Sequence, residues 1–280
     1  VALTRFIIED TDPFSLASSR YFIGAVVLLG LMVWRMGLPP ILRKDWLPFF
    51  VLGVVMFAVF PYFVARALED TTSARGGIIF GSMPLLTMLI AVTFRVERFG
   101  WYKALGILVG FAGAAIVLSE KVDAIAPEAL RGDMFMIAGM ICASSFNVFS
   151  KKYLMRYGSM PVNVYAMLIG SVALFIAALF LGNPLGGSLA FDATGWFVFF
   201  MLAIPGGTIM MVSWGKAIQL ISPTQAAVTV SLNPVAAIAI AAVILAEPVT
   251  TNVIIGFPLV VLAIFIANYR PGTAGGPGKA

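Results

Sequence analysis

The residues of this chain that have the types to do chemistry are few, and several sit beside prolines. Ser231 and Asn233 precede Pro234, Ser82 and Met83 precede Pro84, and Tyr62 follows Pro61. A proline inside a helix removes a backbone donor and frees the carbonyl four residues earlier. Such a carbonyl beside a hydroxyl or amide makes a small hydrogen-bonding constellation, suited to a polar ligand rather than to bond-making. Pro205 with Gly206 and Gly207 should kink or break its own segment in the same way. Ser144, Ser145 and Asn147 share one apolar run, with Trp214 and Tyr165 in two others. Met83, Met210, Met211, Phe60 and Phe80 offer an adaptable apolar wall, although any one of them serves equally as plain packing. An amide in such surroundings is costly without a partner. Asn233 is therefore either a bond between helices or a ligand contact, and the same choice applies to Asn147.

Absent residue types bound the chemistry further. There is no His, and the single Cys142 lies inside an apolar run, so neither a disulfide pair nor a His/Cys metal site is available. No nucleophile–base set and no GxxxxGK[ST] phosphate loop is present. The expectation is no catalytic residue, no metal and no cofactor. Asp and Glu avoid the central third of every apolar run, where proton relays usually sit. Arg20 is the deepest cation and is expected to snorkel toward Glu9, Asp10 and Asp12. Arg66 and Lys216 are expected near opposite membrane faces, as gate residues or interfacial anchors.

The elements that position these groups follow from composition. Of 280 residues, 61% are hydrophobic and 11% charged, against about 45–50% and about 25% in soluble domains. The apolar residues fall in runs of about twenty, enough to cross a roughly 30 Å hydrocarbon layer as helices. Strands of a membrane barrel would instead alternate over about ten residues. The chain therefore reads as an all-α integral membrane protein, which excludes a nucleic-acid-binding domain, a disordered chain and a disulfide scaffold. Spans are expected at about 14–34, 46–67, 72–94, 101–118, 134–150, 162–181, 194–217, 223–245 and 249–269. Residues 1–8 make about half a span before an acidic cluster, so the sequence is expected to begin inside the first of ten transmembrane helices. Loops at alternate ends place twelve of the eighteen cations, but only Asp45 and Glu97 of the thirteen acids, on one face. The positive-inside rule makes that face cytoplasmic, together with both termini.

The sequence also repeats. A shift of 150 residues lays 46–119 over 196–269 without a gap. Trp46 then meets Trp196, Phe49 meets Phe199, Ala67 meets Ala217, Pro84 meets Pro234, Glu97 meets Glu247 and Gly106 meets Gly256. Five spans per copy, an odd number, means that the second copy enters from the other side, as in transporters whose sites lie at the midplane between inverted repeats. The expected division is a first five-helix repeat over 1–119, a linker over 120–133, a second repeat over 134–270 and a flexible tail over 271–280. The Gly106-xxx-Gly110 pattern with Gly113 suits close helix approach, with a homodimer contact as an alternative use.

On these features the chain resembles the ten-helix drug/metabolite transporter superfamily, specifically its EamA-type exporters. The features are Pro13 followed by Arg20, the run Pro84…Glu97…Gly106, and its echo Pro234…Glu247-Pro248…Gly256. The resemblance implies a bacterial inner-membrane secondary transporter working by alternating access on a small molecule, with the amino-acid exporters as the nearest branch. Together with the charge-poor interior, it points to export of neutral or aromatic amino acids. The expected substrate-binding residues are Tyr62, Ser82, Met83, Asn147, Trp214, Ser231 and Asn233. Breaks at Pro84, Pro205 and Pro234 are expected to line the pathway. The alternatives are another metabolite or drug of the same superfamily and, from a different class, a flippase-like handler of lipids.

Overall fold

In the computed structural model, residues 13–70, 73–119, 129–181, 191–233 and 251–269 are described. α1 spans Pro13–Met36; after a short 3-10 turn, α2 covers Trp46–Val54 and continues through a π-helical turn, Val55–Val59, into α3, Phe60–Asp70. α4 (Ser73–Phe80) and α5 (Met83–Thr93) are separated by Gly81 and Ser82 and are followed by α6, Trp101–Ser119. α7 (Ala129–Tyr157) and α8 (Ser159–Leu181) turn at Gly158, whose φ of 88° suits glycine alone. α9 (Ala193–Ala203) passes through a second π-helical turn, Ile204–Ile209, into α10, Met210–Leu220. α11 (Pro223–Val228) runs into a 3-10 turn, and α12 is Thr251–Asn268. The protein is an all-α membrane protein. Six helical stretches are long and apolar enough to cross a bilayer, and Trp101–Ile116 and Ile254–Asn268 are shorter apolar helices. The expected first span, Pro234, Glu247 and the tail lie outside the described residues.

Two sequence expectations are corrected. The break expected at Pro84 falls at Gly81 and Ser82, within the single span Gly76–Thr93, so the proline opens a helix and frees no carbonyl in the middle of one. Ser82 caps a new helix, its hydroxyl donating back to the Ile79 carbonyl at 2.6 Å, and Pro84 lies in the first turn of α5. There a missing N–H has no helical partner to lose. The helix expected over 134–150 is longer, because α7 begins within the polar stretch 120–133 and carries Lys151, Lys152 and Arg156 on its final turns. Long cationic side chains keep their charge near water while their stems cover apolar surface.

Repeat-equivalent helices pack on each other, and they do so antiparallel. A Cβ added to Gly106 of α6 would stand 2.7 Å from both the Ala263 carbonyl oxygen and the Ala267 Cβ of α12, while one at Gly113 would stand 3.0 Å from the Gly256 carbonyl oxygen. Residues 263 and 256 are the 150-residue counterparts of 113 and 106, so the contact is reciprocal. α1 and α8 behave alike. Phe14 packs with Leu174 and Ala178 near one end, Leu28 with Val164 near the other, and 178 and 164 are the counterparts of 28 and 14. The two π-helical turns also coincide under the shift, although Pro205 lies in one and Pro61 just after the other.

Helices in lipid gain little from hiding apolar surface, so close van der Waals approach must hold them together. Gly106→Ala should force α6 and α12 apart, at a cost of about 1–3 kcal/mol. Its apparent melting temperature in detergent is expected to fall by several degrees. Gly30→Ala, with nothing within 4 Å of the added Cβ, should leave it unchanged. Equal melting of the two variants would contradict this packing.

Candidate functional site

Several buried polar groups, among them Thr87, Ser144 and Asn147, meet at one face of α7. Met140, Ala143, Ser144 and Asn147 follow helical spacing and point at α5 and α10. The Thr87 hydroxyl donates to Ser144 Oγ at 3.1 Å, and Ser144 donates to the Met83 carbonyl at 3.2 Å. Trp214 Nε1 donates to Asn147 Oδ1 at 2.9 Å. The other end of that amide, Asn147 Nδ2, is buried with no hydrogen-bond partner. Met83, Met140 and Trp214 share an apolar cluster with Met136 and Phe60. Thr87, Ser144 and Asn147 are all at most 1% exposed, so this interior is filled by side chains in the present state.

Of the residues expected to bind substrate, the structure brings together Met83, Asn147 and Trp214. Ser82 spends its hydroxyl on Ile79. Ser231 is buried against Gly110 of α6, where it serves the helix contact. Tyr62 stacks on Phe14, ring centroids 5.8 Å apart, in the cluster formed with α1 and α8. Asn233 is exposed at the end of its described segment.

Pro205 and Gly206 are exposed, and their break is a π-helical turn whose Thr208 hydroxyl reaches both the Ala203 carbonyl (3.1 Å) and the Gly24 carbonyl of α1 (3.0 Å). That break is thus covered by protein at the α1 contact. Arg66 pairs with Glu69 one turn along its own helix, and Lys216 is exposed. Neither forms a gate in this state. The Arg20 guanidinium lies 4.7 Å over the Tyr21 ring and donates to its hydroxyl, with Nε buried and unpaired. Its expected acidic partners are outside the described residues.

Sequence reasoning passed over Thr87 and the ties between distant segments at the cation-rich face. Asp45 Oδ2 accepts from Arg156 at 2.8 Å and from the Tyr157 hydroxyl at 2.6 Å, joining the start of α2 to the end of α7. Glu97, its side chain 5% exposed, pairs with Lys103 at 2.6 Å and accepts from the Thr224 amide at 3.0 Å. This strut ties the α5–α6 loop of the first half to α11 of the second. The ion pair Arg131–Asp70, at 3.5 Å, lies on the opposite face. Each of these pairs joins residues that the charge count had assigned to one and the same face. Burial pushes the Glu97 carboxyl up and is the strongest single influence. Lys103, the Thr224 amide and Ser222 together outweigh it and hold the carboxyl below the usual range.

Membrane-crossing helices around neutral donors and acceptors, with ionised groups at the faces, are the architecture of a membrane transporter. Comparison with known proteins agrees: the profile of the EamA-like transporter family matches residues 1–119 and again 130–269. The chain belongs to the EamA-like transporter family. It is 24% identical over 270 residues to the uncharacterized transporter YyaM of Bacillus subtilis, covering 95% of this chain and 88% of that one. An uncharacterized transporter of Archaeoglobus fulgidus is 24% identical over 267 residues, covering 94% and 91%. One solved crystal structure matches with a TM-score of 0.78 at 19% identity over 95% of this chain and 92% of the other, a likeness of fold.

A carboxyl whose pKa is depressed on folding contributes stability above its unfolded value and loses it as pH falls. The Glu97 strut should therefore weaken below about pH 4.5, the ordinary Glu value. Melting curves between pH 7 and pH 4 are expected to show the wild type losing more stability on acidification than Glu97→Gln does. Parallel losses in the two proteins would contradict the strut's contribution.

Proposed function

We propose that this transporter exports small neutral metabolites, foremost neutral or aromatic amino acids, across the bacterial inner membrane. Export proceeds by alternating access between two oppositely oriented five-helix halves, with both termini cytoplasmic. The observation that carries the substrate class is Asn147. Its amide nitrogen is buried without a partner while its oxygen is held by Trp214, in a cluster with Met83, Met140 and the neutral Thr87–Ser144 pair, whereas the buried carboxylates Asp45 and Glu97 stand at the cation-rich face. An unsatisfied buried donor costs about 1–3 kcal/mol, which a ligand acceptor recovers. A substrate carboxylate supplies that acceptor, and Met83, Met140 and Trp214 give its side chain an apolar wall. A cargo with net charge would find no buried counter-ion there, whereas a zwitterion balances its own charge.

The same groups explain why access alternates. The interior is closed by packing between α5, α7 and α10, and the cation-rich face is tied by the Asp45 and Glu97 struts. Cargo reaches Asn147 when α5 and α10 part from α7, and the reciprocal α6–α12 and α1–α8 contacts serve as the axis about which the halves rock. Inverted-repeat transporters alternate by such rocking around a fixed midplane site.

The test is uptake and counterflow of a panel of neutral, cationic and anionic amino acids in proteoliposomes. Neutral, above all aromatic, amino acids should move. Asn147→Ala should lower their transport about tenfold or more, as expected for a lost hydrogen bond to a charged group. Trp214→Phe, which removes only the ring N–H, should lose less, about fivefold. Wild-type transport by a fully inserted Asn147→Ala protein, or no movement of any neutral amino acid, would refute the assignment.

A further inference from the structure

We infer that the cation-rich end of the molecule binds one anionic phospholipid of the adjoining leaflet, headgroup and acyl chain together. A recess of about 470 Å³ lies among the start of α6, the ends of α7, α10 and α12, and α11. Its polar lining includes Lys103, Lys151, Ser222 and Gln225. Lys103 is engaged by Glu97. Lys151 is not so engaged: it is half-buried, its Nζ stands 3.5 Å from the Ile221 carbonyl, and no carboxylate pairs with it among the described residues. The recess thus holds an ammonium with donors to spare, which complements a phosphate oxygen.

What makes this a lipid site rather than an anion site is its continuation. Tyr102 and Tyr269 line the recess and also line a second furrow of about 270 Å³, completed by Leu105, Phe265 and Ile266. Their rings pack on each other with centroids 5.2 Å apart. Leu105 and Phe265 are exposed at 51% and 71%, on the side where α6 and α12 meet hydrocarbon. A cationic recess, a tyrosine pair and an apolar furrow follow one another in the order of headgroup, interface and acyl chain, and tyrosines favour that interfacial depth. A soluble phosphate compound would use the recess and leave the furrow empty. The cytoplasmic leaflet supplies anionic lipids to the face richest in Lys and Arg. The inference does not depend on the identity of the cargo.

Native mass spectrometry of the full chain in detergent tests it, using phosphatidylglycerol and phosphatidylcholine with matched acyl chains and free glycerol 3-phosphate as the chainless headgroup. Phosphatidylglycerol should be retained at about fivefold lower concentration than phosphatidylcholine, the contribution of about one interfacial Lys. Lys151→Gln should abolish that preference, and the neighbouring Lys152→Gln should keep it. Phosphatidylglycerol should also raise the melting temperature of the wild type more than phosphatidylcholine does, a readout that needs no variant. Equal retention of the two lipids, an unchanged preference in Lys151→Gln, or displacement of phosphatidylglycerol by equimolar glycerol 3-phosphate would each overturn the assignment.

Discussion

The close antiparallel approach of repeat-equivalent helices is the constraint on which the rest of the structure depends. α6 and α12 meet through Gly106, Gly110 and Gly113 on one side and Gly256, Ala263 and Ala267 on the other. Lipid tails are as apolar as leucine, so a membrane helix gains its neighbour by van der Waals contact, and small residues set how near it comes. A contact that maps onto itself under a 150-residue shift relates the paired helices by a pseudo-two-fold axis. The α1–α8 contact obeys the same reciprocity. With the halves so related, whatever closes one face has a counterpart able to close the other, the geometric prerequisite for alternating access.

A second constraint follows from the solvent. Inside a bilayer, irregular backbone must find partners within the protein. Two breaks in regular α-helix illustrate how it does so. At Gly81–Ser82 the serine hydroxyl covers the Ile79 carbonyl, at the second π-helical turn Thr208 covers the carbonyls of Ala203 and Gly24, and the Met83 carbonyl receives Ser144. The breaks are used to pack and to satisfy the bundle. Among the described residues, Arg20 Nε, Asn147 Nδ2 and the hydroxyls of Ser150 and Thr224 are buried without a partner, and of these the Asn147 amide is the one held at its other end by Trp214.

Much of this was legible in the sequence, and the limits are physical. The spans could be read because their length is dictated by the thickness of the layer they cross. The repeat could be read because Trp46 and Trp196, or Gly106 and Gly256, occupy equivalent environments. Prolines were a poorer guide: Pro61 and Pro205 are not counterparts under the 150-residue shift, yet the π-helical turns beside them coincide, because backbone widening is shared while the residue that demands it is not. Pro84 marked a helix start rather than a kink, a distinction that rests on the capping geometry of Ser82. Within the candidate site, Asn147 and Trp214 were named from residue type and depth, but their pairing, like Glu97 with Thr224 or Asp45 with Tyr157, joins segments far apart in the chain. Spacing along a helix cannot report such contacts.

The charges complete the picture by their placement. Asp45 with Arg156, and Glu97 with Lys103, stand at one face, and Arg131 with Asp70 at the other, leaving the interior to neutral groups. All of this presupposes that the halves are inserted with opposite polarity. Trp101 and Thr251 open the equivalent helices α6 and α12 and are both exposed. Single cysteines placed at 101 and at 251 on a Cys142→Ser background, labelled from each side of sealed vesicles with a membrane-impermeant maleimide, test this directly. The account predicts labelling of the two positions from opposite sides. Labelling of both from the same side would contradict it.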